Sequence, residues 1–405
     1  VKRVIGLLVI GAAMGFAEGR QTGRAASWPL ALHALATPAA PGSGQPQLTA
    51  SDRGVLLSWV ERVGATATLK FAERNAGGWT APVTVASGND WFVNWADVPS
   101  VLRLGDGVLA AHWLQKSGPG TYAYDVRLAV SRDDGRTWTK PFSPHRDRTA
   151  TEHGFVSLVR MAGAGLGVLW LDGRAMAPGP PGHDGGAMSL RFATFDRTLR
   201  QTADLLVDER VCECCPTAAV ATSEGLIAAY RNRGEDELRD IHVARFVGGT
   251  WARSTPLHHD NWRVAACPVN GPALSASGRT VAAAWWTVIR DVGHAFLAFS
   301  DDAGRSWGDP VRLDDAQSTG RVDVELLPDG AAIALYLEPG DGAAHLRIRR
   351  VTRAAGASNA QTIASVDPGR SSGYPRIARH GNELVLAWIE GGRIRTAAAP
   401  LTNTE

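Results

Sequence analysis

Lysine is nearly missing from this chain: four lysines stand against 38 arginines among its 42 basic residues. We read that imbalance as genome-level codon bias rather than as function. An excess of one charge is missing too, since 40 acidic residues leave a net charge of +2 over 405 residues. That balance excludes the basic footprint of a nucleic-acid binder and the pull of an anionic membrane. Helical periodicity of any length is absent, which excludes a helix bundle and an alternating βα architecture. Long apolar runs are absent as well. The longest, Val4 to Phe16, has 13 residues, whereas spanning a bilayer takes about 20. Cysteine is scarce, with four in all. Cys212 and Cys215 have C-x-x-C spacing, but Pro216 stands where haem attachment needs histidine.

The short apolar run has a use of its own. Lys2 and Arg3 precede it, and small residues with Ala17 as a cleavage point follow it. This is a secretory signal pattern. It predicts removal of residues 1–17 and a periplasmic or secreted protein with no membrane insertion after cleavage. An uncleaved anchor is the alternative. No cysteine follows closely, so no lipid anchor is expected.

What the chain does contain is a repeat. Short β-branched and apolar runs each end in an aromatic: "VLLSWVE", "VLAAHWLQ", "LGVLWLD", "LIAAYRN", "VAAAWWT", "AIALYLE" and "LVLAWIE". The aromatics are Trp59, Trp113, Trp170, Tyr230, Trp285, Tyr336 and Trp388, spaced 51 to 60 residues apart. A shorter strand precedes each, several opened by proline, which a first strand position tolerates. Alternating strands such as "DVRLAVS" follow, and then a fourth. Four strands per unit of about 50 residues describe a propeller blade. The units start at Pro46, Pro99, Phe155, Pro216, Pro272, Val322 and Pro375. The spacing predicts an all-β, seven-bladed β-propeller over residues 45–401, or six blades if one copy is miscounted. The seventh unit shows only three strands. "SWPLALHAL", within the N-terminal segment 18–44, is expected to close it, which removes exposed sheet edges.

Two octapeptides stand out: "SRDDGRTW" (Ser131, Asp133, Gly135, Trp138) and "SDDAGRSW" (Ser300, Asp302, Gly304, Trp307). Degenerate versions end at Trp79 and Trp251. The carboxylate can accept N–H groups of a turn, the glycine can take positive φ, and the tryptophan can bury its ring. Both match S-x-D-x-G-x-x-W, and the chain thereby resembles the sialidase-like (BNR-repeat, Asp-box) propellers from about residue 45 to 400. The resemblance implies that the boxes are structural and lie away from the active face. Any activity it implies is that of a sialidase-like exo-glycosidase. Working sialidases use three arginines, a tyrosine nucleophile with a glutamate, and an aspartate acid/base. The candidates for such roles are Tyr374, Asp97 and Glu338. This sequence departs from the pattern in lacking an "R-I-P" phrase near the first blade, and six blades are usual for sialidases.

In such propellers the starts of first strands and the ends of second strands surround one axial mouth, here called the upper face. Two residues beyond the repeated aromatics stand Glu61, Gln115, Asp172, Asn232, Thr287, Glu338 and Glu390, all polar. Arg174, Arg231 and Arg233 lie at the same level. The lead-ins to first strands hold Asp97, His153, Asn270, Arg321, Asp323, Tyr374 and Arg376. We expect a polar or anionic ligand, such as a glycan, to be held by Arg174, Arg231, Arg321, Arg376, Asp172, His153 and Asn270. Inter-blade salt bridging by the same groups is the alternative. His258 and His259 read as loop residues.

The cysteines fall on the same face. Cys212, Cys214 and Cys215 lead into the fourth unit and Cys267 into the fifth. Disulfides are one reading, pairing Cys267 with Cys214 or Cys215 and Cys212 with the other, because adjacent cysteines pair only under strain. A thiolate site for Cu or Zn is the other. Three functions therefore stand: a glycan-binding or glycan-cleaving propeller, a metal-handling or redox module, and a non-enzymatic scaffold for a protein partner.

Overall fold

The computed structural model describes residues 28–177 and 186–401. The expected signal segment 1–17 lies outside them. Seven small antiparallel sheets follow one another along the chain as the blades of one propeller. The innermost strands are Gly44–Ala50, Ser100–Gly105, His153–Met161, Ala218–Thr222, Ala273–Ser277, Gly320–Leu326 and Arg376–His380. Each pairs with the second strand of its blade, which carries one of the repeated aromatics. The third strand pairs outside it, and a short fourth strand or single bridge completes the blade. In the seventh blade that outer strand is His33–Leu35, paired with Arg393–Pro400 in the register His33 to Ala398. Gln361, on the outer strand of blade six, fastens the same N-terminal segment by bonding both the N–H and the carbonyl of Leu30 (2.9 and 3.0 Å).

The second strands are largely apolar up to their aromatic because a blade's two faces both meet neighbouring blades. Seven buried clusters fill the seven interfaces. Trp59, Trp170, Tyr230, Trp285 and Tyr336 are among the largest fully buried side chains. Removing such a ring costs about 3–5 kcal/mol. The polar residue two positions on has a structural use. Side chains at i and i+2 of a strand share a face, so the indole N–H of Trp59, Trp170 and Trp388 donates to Glu61, Asp172 and Glu390 (2.9, 2.7 and 3.3 Å).

The two Asp boxes form matching turns on the lower face. Asp133 accepts the N–H and hydroxyl of Thr137, and Asp302 those of Ser306. Ser131 and Ser300 each take the N–H of the box glycine. Gly135 has φ +87°, and a Cβ there would lie 2.6 Å from the Phe71 ring. Among the described residues no helix is long and apolar enough to cross a membrane.

Candidate functional site

The upper ends of the first strands are joined to one another by buried polar bonds. Blades one, three and six each open with a bulge whose first extra residue is left-handed: Gln45, Phe155 and Arg321 (φ 57°, 51° and 54°). Such backbone is costly outside glycine and persists where the surroundings over-determine it. The Phe155 N–H donates to Asp97 of the preceding blade, and the Arg321 N–H to Asn270 of its preceding blade (both 2.8 Å). Asp323 accepts the Ile377 N–H of blade seven in the same way (3.0 Å). Each bond ties one blade's lead-in to the next.

This plan decides the fate of several predicted ligands. Arg231 is fully buried and donates to the carbonyls of Asn270, Arg239 and Trp286. Arg321 donates to Ser372, Gly373 and Gly369 and lies 4.8 Å over the Trp95 ring. Asn270 is held between Pro268, Thr319 and Arg321. Glu338 accepts Arg347 at 2.7 Å and the Asp315 N–H. These four are struts between strands rather than open ligand groups.

The axial mouth itself is plugged. Tyr374 is 2% exposed, reaches from blade seven to the Val269 carbonyl at 2.6 Å, and stacks on Trp95 from the blade-two lead-in. Burial pushes its phenol up to about 12, the wrong direction for a nucleophile at neutral pH. Asp97, 1% exposed, sits under the plug. Burial raises its carboxyl to about 8, against the Phe155 N–H and with the help of Glu152. Neither group is open to a ligand from above. Below the plug a cavity of about 460 Å³ runs between the inner strands of all seven blades. Its upper lining (Ala96, Phe155, Tyr374) is buried, and Arg160 and Ala221 at its lower end are exposed, so it opens on the Asp-box side. Arg376, half-buried over the Tyr374 ring, faces this cavity with its Nε unpartnered.

The structure does bring His153, Asp172 and Arg174 together, between blades two and three. Arg174 grips Asp172 with two nitrogens (2.6 and 2.7 Å), and His153 Nε2 lies 3.8 Å from the same carboxylate. Three residues that the sequence did not single out complete the cluster. Asp147 lies 3.2 Å from His153 Nε2, Asp125 3.9 Å from its Nδ1, and the His145 ring stacks on the His153 ring at 3.9 Å. Burial opposes charge on both rings. The Asp147 hydrogen bond and the surrounding carboxylates outweigh it at His153, which is raised. At His145 burial and the neighbouring His153 charge win, and the group falls to about 4. His153 Nδ1 faces the Tyr124 and Thr151 carbonyls and Nε2 faces Asp147.

All four cysteines are in disulfides: Cys212 with Cys215, and Cys214 with Cys267. The second links the lead-in of blade four to that of blade five. Cys212 and Cys215 are buried, Cys214 is half-buried and Cys267 is exposed.

A further concavity of about 230 Å³ opens on the upper face between blades one, two and seven. Trp95, Val93 and Ile389 form its apolar side, and Arg62 and Arg370 flank it. Both arginines are exposed, and neither has a carboxylate partner among the described residues. The turns here are short, with two residues between Val63 and Thr66 and two between Glu390 and Arg393, so neither turn overhangs the opening. Arg62 follows the polar position after Trp59, and Arg370 precedes Tyr374. Other exposed arginines, Arg160 and Arg393 among them, also lack a carboxylate partner among the described residues; Arg62 and Arg370 differ in flanking this concavity, and sequence does not record that.

The sequence profile of the BNR repeat-like domain matches residues 65–386. The chain belongs to the BNR repeat-like family. Solved structures share this BNR propeller's fold. One, titled as a new family of polysaccharide lyase, PL25-Ulvanlyase, bound to -[GlcA(1-4)Rha3S]-, has a TM-score of 0.56 and 12% identity, over 91% of this chain and 96% of that one. Polysaccharide lyase Uly1 gives 0.52 and 10%, over 96% and 94%. A protein of unknown function from Dyadobacter fermentans DSM 18053 gives 0.51 and 14%, over 93% and 97%. No curated protein matches the chain. At these identities the likeness is one of fold.

Proposed function

We propose that this BNR propeller is an exported protein that holds an acidic glycan on its upper face, in the concavity between Arg62, Trp95 and Arg370. The observation that carries the reading is the pair of unpartnered guanidiniums beside an aromatic and aliphatic wall. Tyr374 and Arg321 already lie over the Trp95 ring, so its edge, with Val93 and Ile389, is the apolar side for the C–H groups of a sugar, and a guanidinium grips a carboxylate or sulfate through paired N–H donors. The pocket has room for about one sugar ring. The ulvan lyase relative bound to -[GlcA(1-4)Rha3S]- gives independent support, because a ligand of that composition is anionic.

Calorimetric titration with a glucuronate-containing oligosaccharide and with its neutral counterpart tests the proposal. The wild type should bind the acidic form and not the neutral one. Arg62→Ala with Arg370→Ala should weaken binding at least tenfold, as expected for hydrogen bonds to charged groups worth about 1.5–3 kcal/mol each. Equal binding of acidic and neutral sugars, or unchanged affinity in the double variant, refutes it. Chromatography of the incubated oligosaccharide then separates binding from cleavage.

A further inference from the structure

The cysteine loop contains more sulfur than a staple between two blades requires. One bond, Cys214 to Cys267, already joins blade four to blade five. The second, Cys212 to Cys215, closes only within the loop itself, between residues three apart. One sulfur each of Cys212, Cys214 and Cys215 lies within 4.8 Å of the others, and Cys267 is bonded to Cys214. Across the two disulfides, the Cys212 and Cys214 sulfurs are 3.9 Å apart. In a tetrahedral tetrathiolate centre with Zn–S of about 2.3 Å, neighbouring sulfurs are about 3.8 Å apart. One edge of that tetrahedron is therefore already in place.

The backbone that presents the sulfurs is fixed independently of them. The Val211 N–H donates to Met188 (2.9 Å) and the Cys212 N–H to Arg231 (3.0 Å). Glu213, between Cys212 and Cys214, is clasped by Arg233 and Arg239. The inner strands that follow, Ala218–Thr222 and Ala273–Ser277, are held by their own sheets. Opening both disulfides thus leaves the loop anchored. Cys267 is exposed and Cys214 half-buried, so a small reductant reaches the outer bond first.

We infer that the four cysteines form a redox-gated site for a thiophilic metal ion of the Zn(II) or Cu(I) class. In the oxidised protein the sulfurs are bonded in pairs and the site is closed. A dithiol reductant gives two electrons and two protons to each disulfide and leaves as its own cyclic disulfide. Four thiols result. The metal binds the four sulfurs, and the thiol protons are released to solvent. The inner bond opens by the same chemistry. The Cys214 thiolate, freed from Cys267, lies next to Cys212; its attack there releases Cys215, and the Cys212–Cys214 bond so formed is cleared by further dithiol.

The test uses the full chain, reduced anaerobically with a dithiol and then freed of reductant. Thiol titration should rise from none to four per chain, with the far-ultraviolet β-sheet signal retained. Titration with Co(II) as an optical stand-in should give thiolate-to-cobalt charge transfer and tetrahedral d–d bands, saturating at one ion per chain and bleached by Zn(II). Cys267→Ser should shift those bands and weaken Co(II) at least tenfold. A folded chain with four free thiols and no thiolate–cobalt band overturns the inference. A reduced chain that loses its sheet signal overturns it as well, because it presents no site.

Discussion

Asp97 offers a test of the inter-blade plan because its substitution has opposite effects at the two ends of the pH range. Its carboxyl is raised from 3.8 in the unfolded chain to about 8 in the fold, chiefly by burial, with the Glu152 charge adding to the shift and the Phe155 N–H opposing it. Between those values the native protein binds a proton that the unfolded chain does not. Stability from this group is therefore complete below about pH 4 and falls as pH rises towards 8. At pH 7 the loss comes to about 4 kcal/mol, from roughly three pH units at about 1.36 kcal/mol each. Asp97→Asn keeps an acceptor for the Phe155 N–H at 2.8 Å and cannot titrate. At pH 4 the variant should lie within about 1 kcal/mol of wild type. At pH 8 it should be the more stable protein by several kcal/mol.

The assay is urea unfolding of both proteins at half-unit steps from pH 4 to 8, read as the difference between them. Taking the difference cancels every other titrating group that the substitution leaves alone. Asp97→Ala is the control: it cannot titrate either but leaves the Phe155 N–H without an acceptor, so it should lie about 1–3 kcal/mol below Asp97→Asn at every pH. A difference between wild type and Asp97→Asn that stays flat across the range refutes the assignment. So does one that favours wild type increasingly as pH rises, since that would mean the ionised carboxylate is the stabilised form.

Three other outcomes follow from the same contacts. Asp147→Asn removes the partner 3.2 Å from His153 Nε2, so the raised His153 should titrate lower, as ring resonances in NMR would report. Because its folded pKa is raised, wild type should lose stability above about pH 6.5 as His153 deprotonates, and the variant should lose less. Gly271→Ala would place a Cβ 1.9 Å from the Pro216 carbonyl at the seam of blades four and five, and a loss of more than about 3 kcal/mol in urea unfolding is expected. Asp302→Ala deletes the bonds to the Ser306 N–H and hydroxyl (2.9 and 2.6 Å). It should cost about 1–2 kcal/mol while leaving acidic-glycan affinity unchanged, because that turn lies on the lower face.

The seven blades were legible because burial on both faces writes itself into composition. Each second strand opens on a largely apolar run that leads to an aromatic, and the aromatic fixes its period. The neighbourhood of the cysteines was legible for a related reason, since the period brings Cys267 to Cys214 and Cys215 across one blade boundary, but it did not decide between the two partners, which the structure does in favour of Cys214. What a guanidinium does was not legible. Arg231, Arg321, Arg62 and Arg370 are the same residue in comparable upper-face lead-ins and strand ends, yet the first two are locked on backbone carbonyls and the last two face solvent. The difference lies in loop geometry. Left-handed bulges turn the Phe155 and Arg321 N–H groups towards the preceding blade and the Gln45 and Arg321 side chains towards the following one, and a stacked Trp95 and Tyr374 seal the axis. Those contacts join residues dozens of positions apart, and no local pattern specifies them. The consequence bears on any reading of such a propeller: a ring of arginines around the axis identifies the upper face, but only the arginines without carbonyl or carboxylate partners are available to a ligand. In the proposed reading, that rule puts the glycan at the rim between blades one, two and seven rather than on the axis.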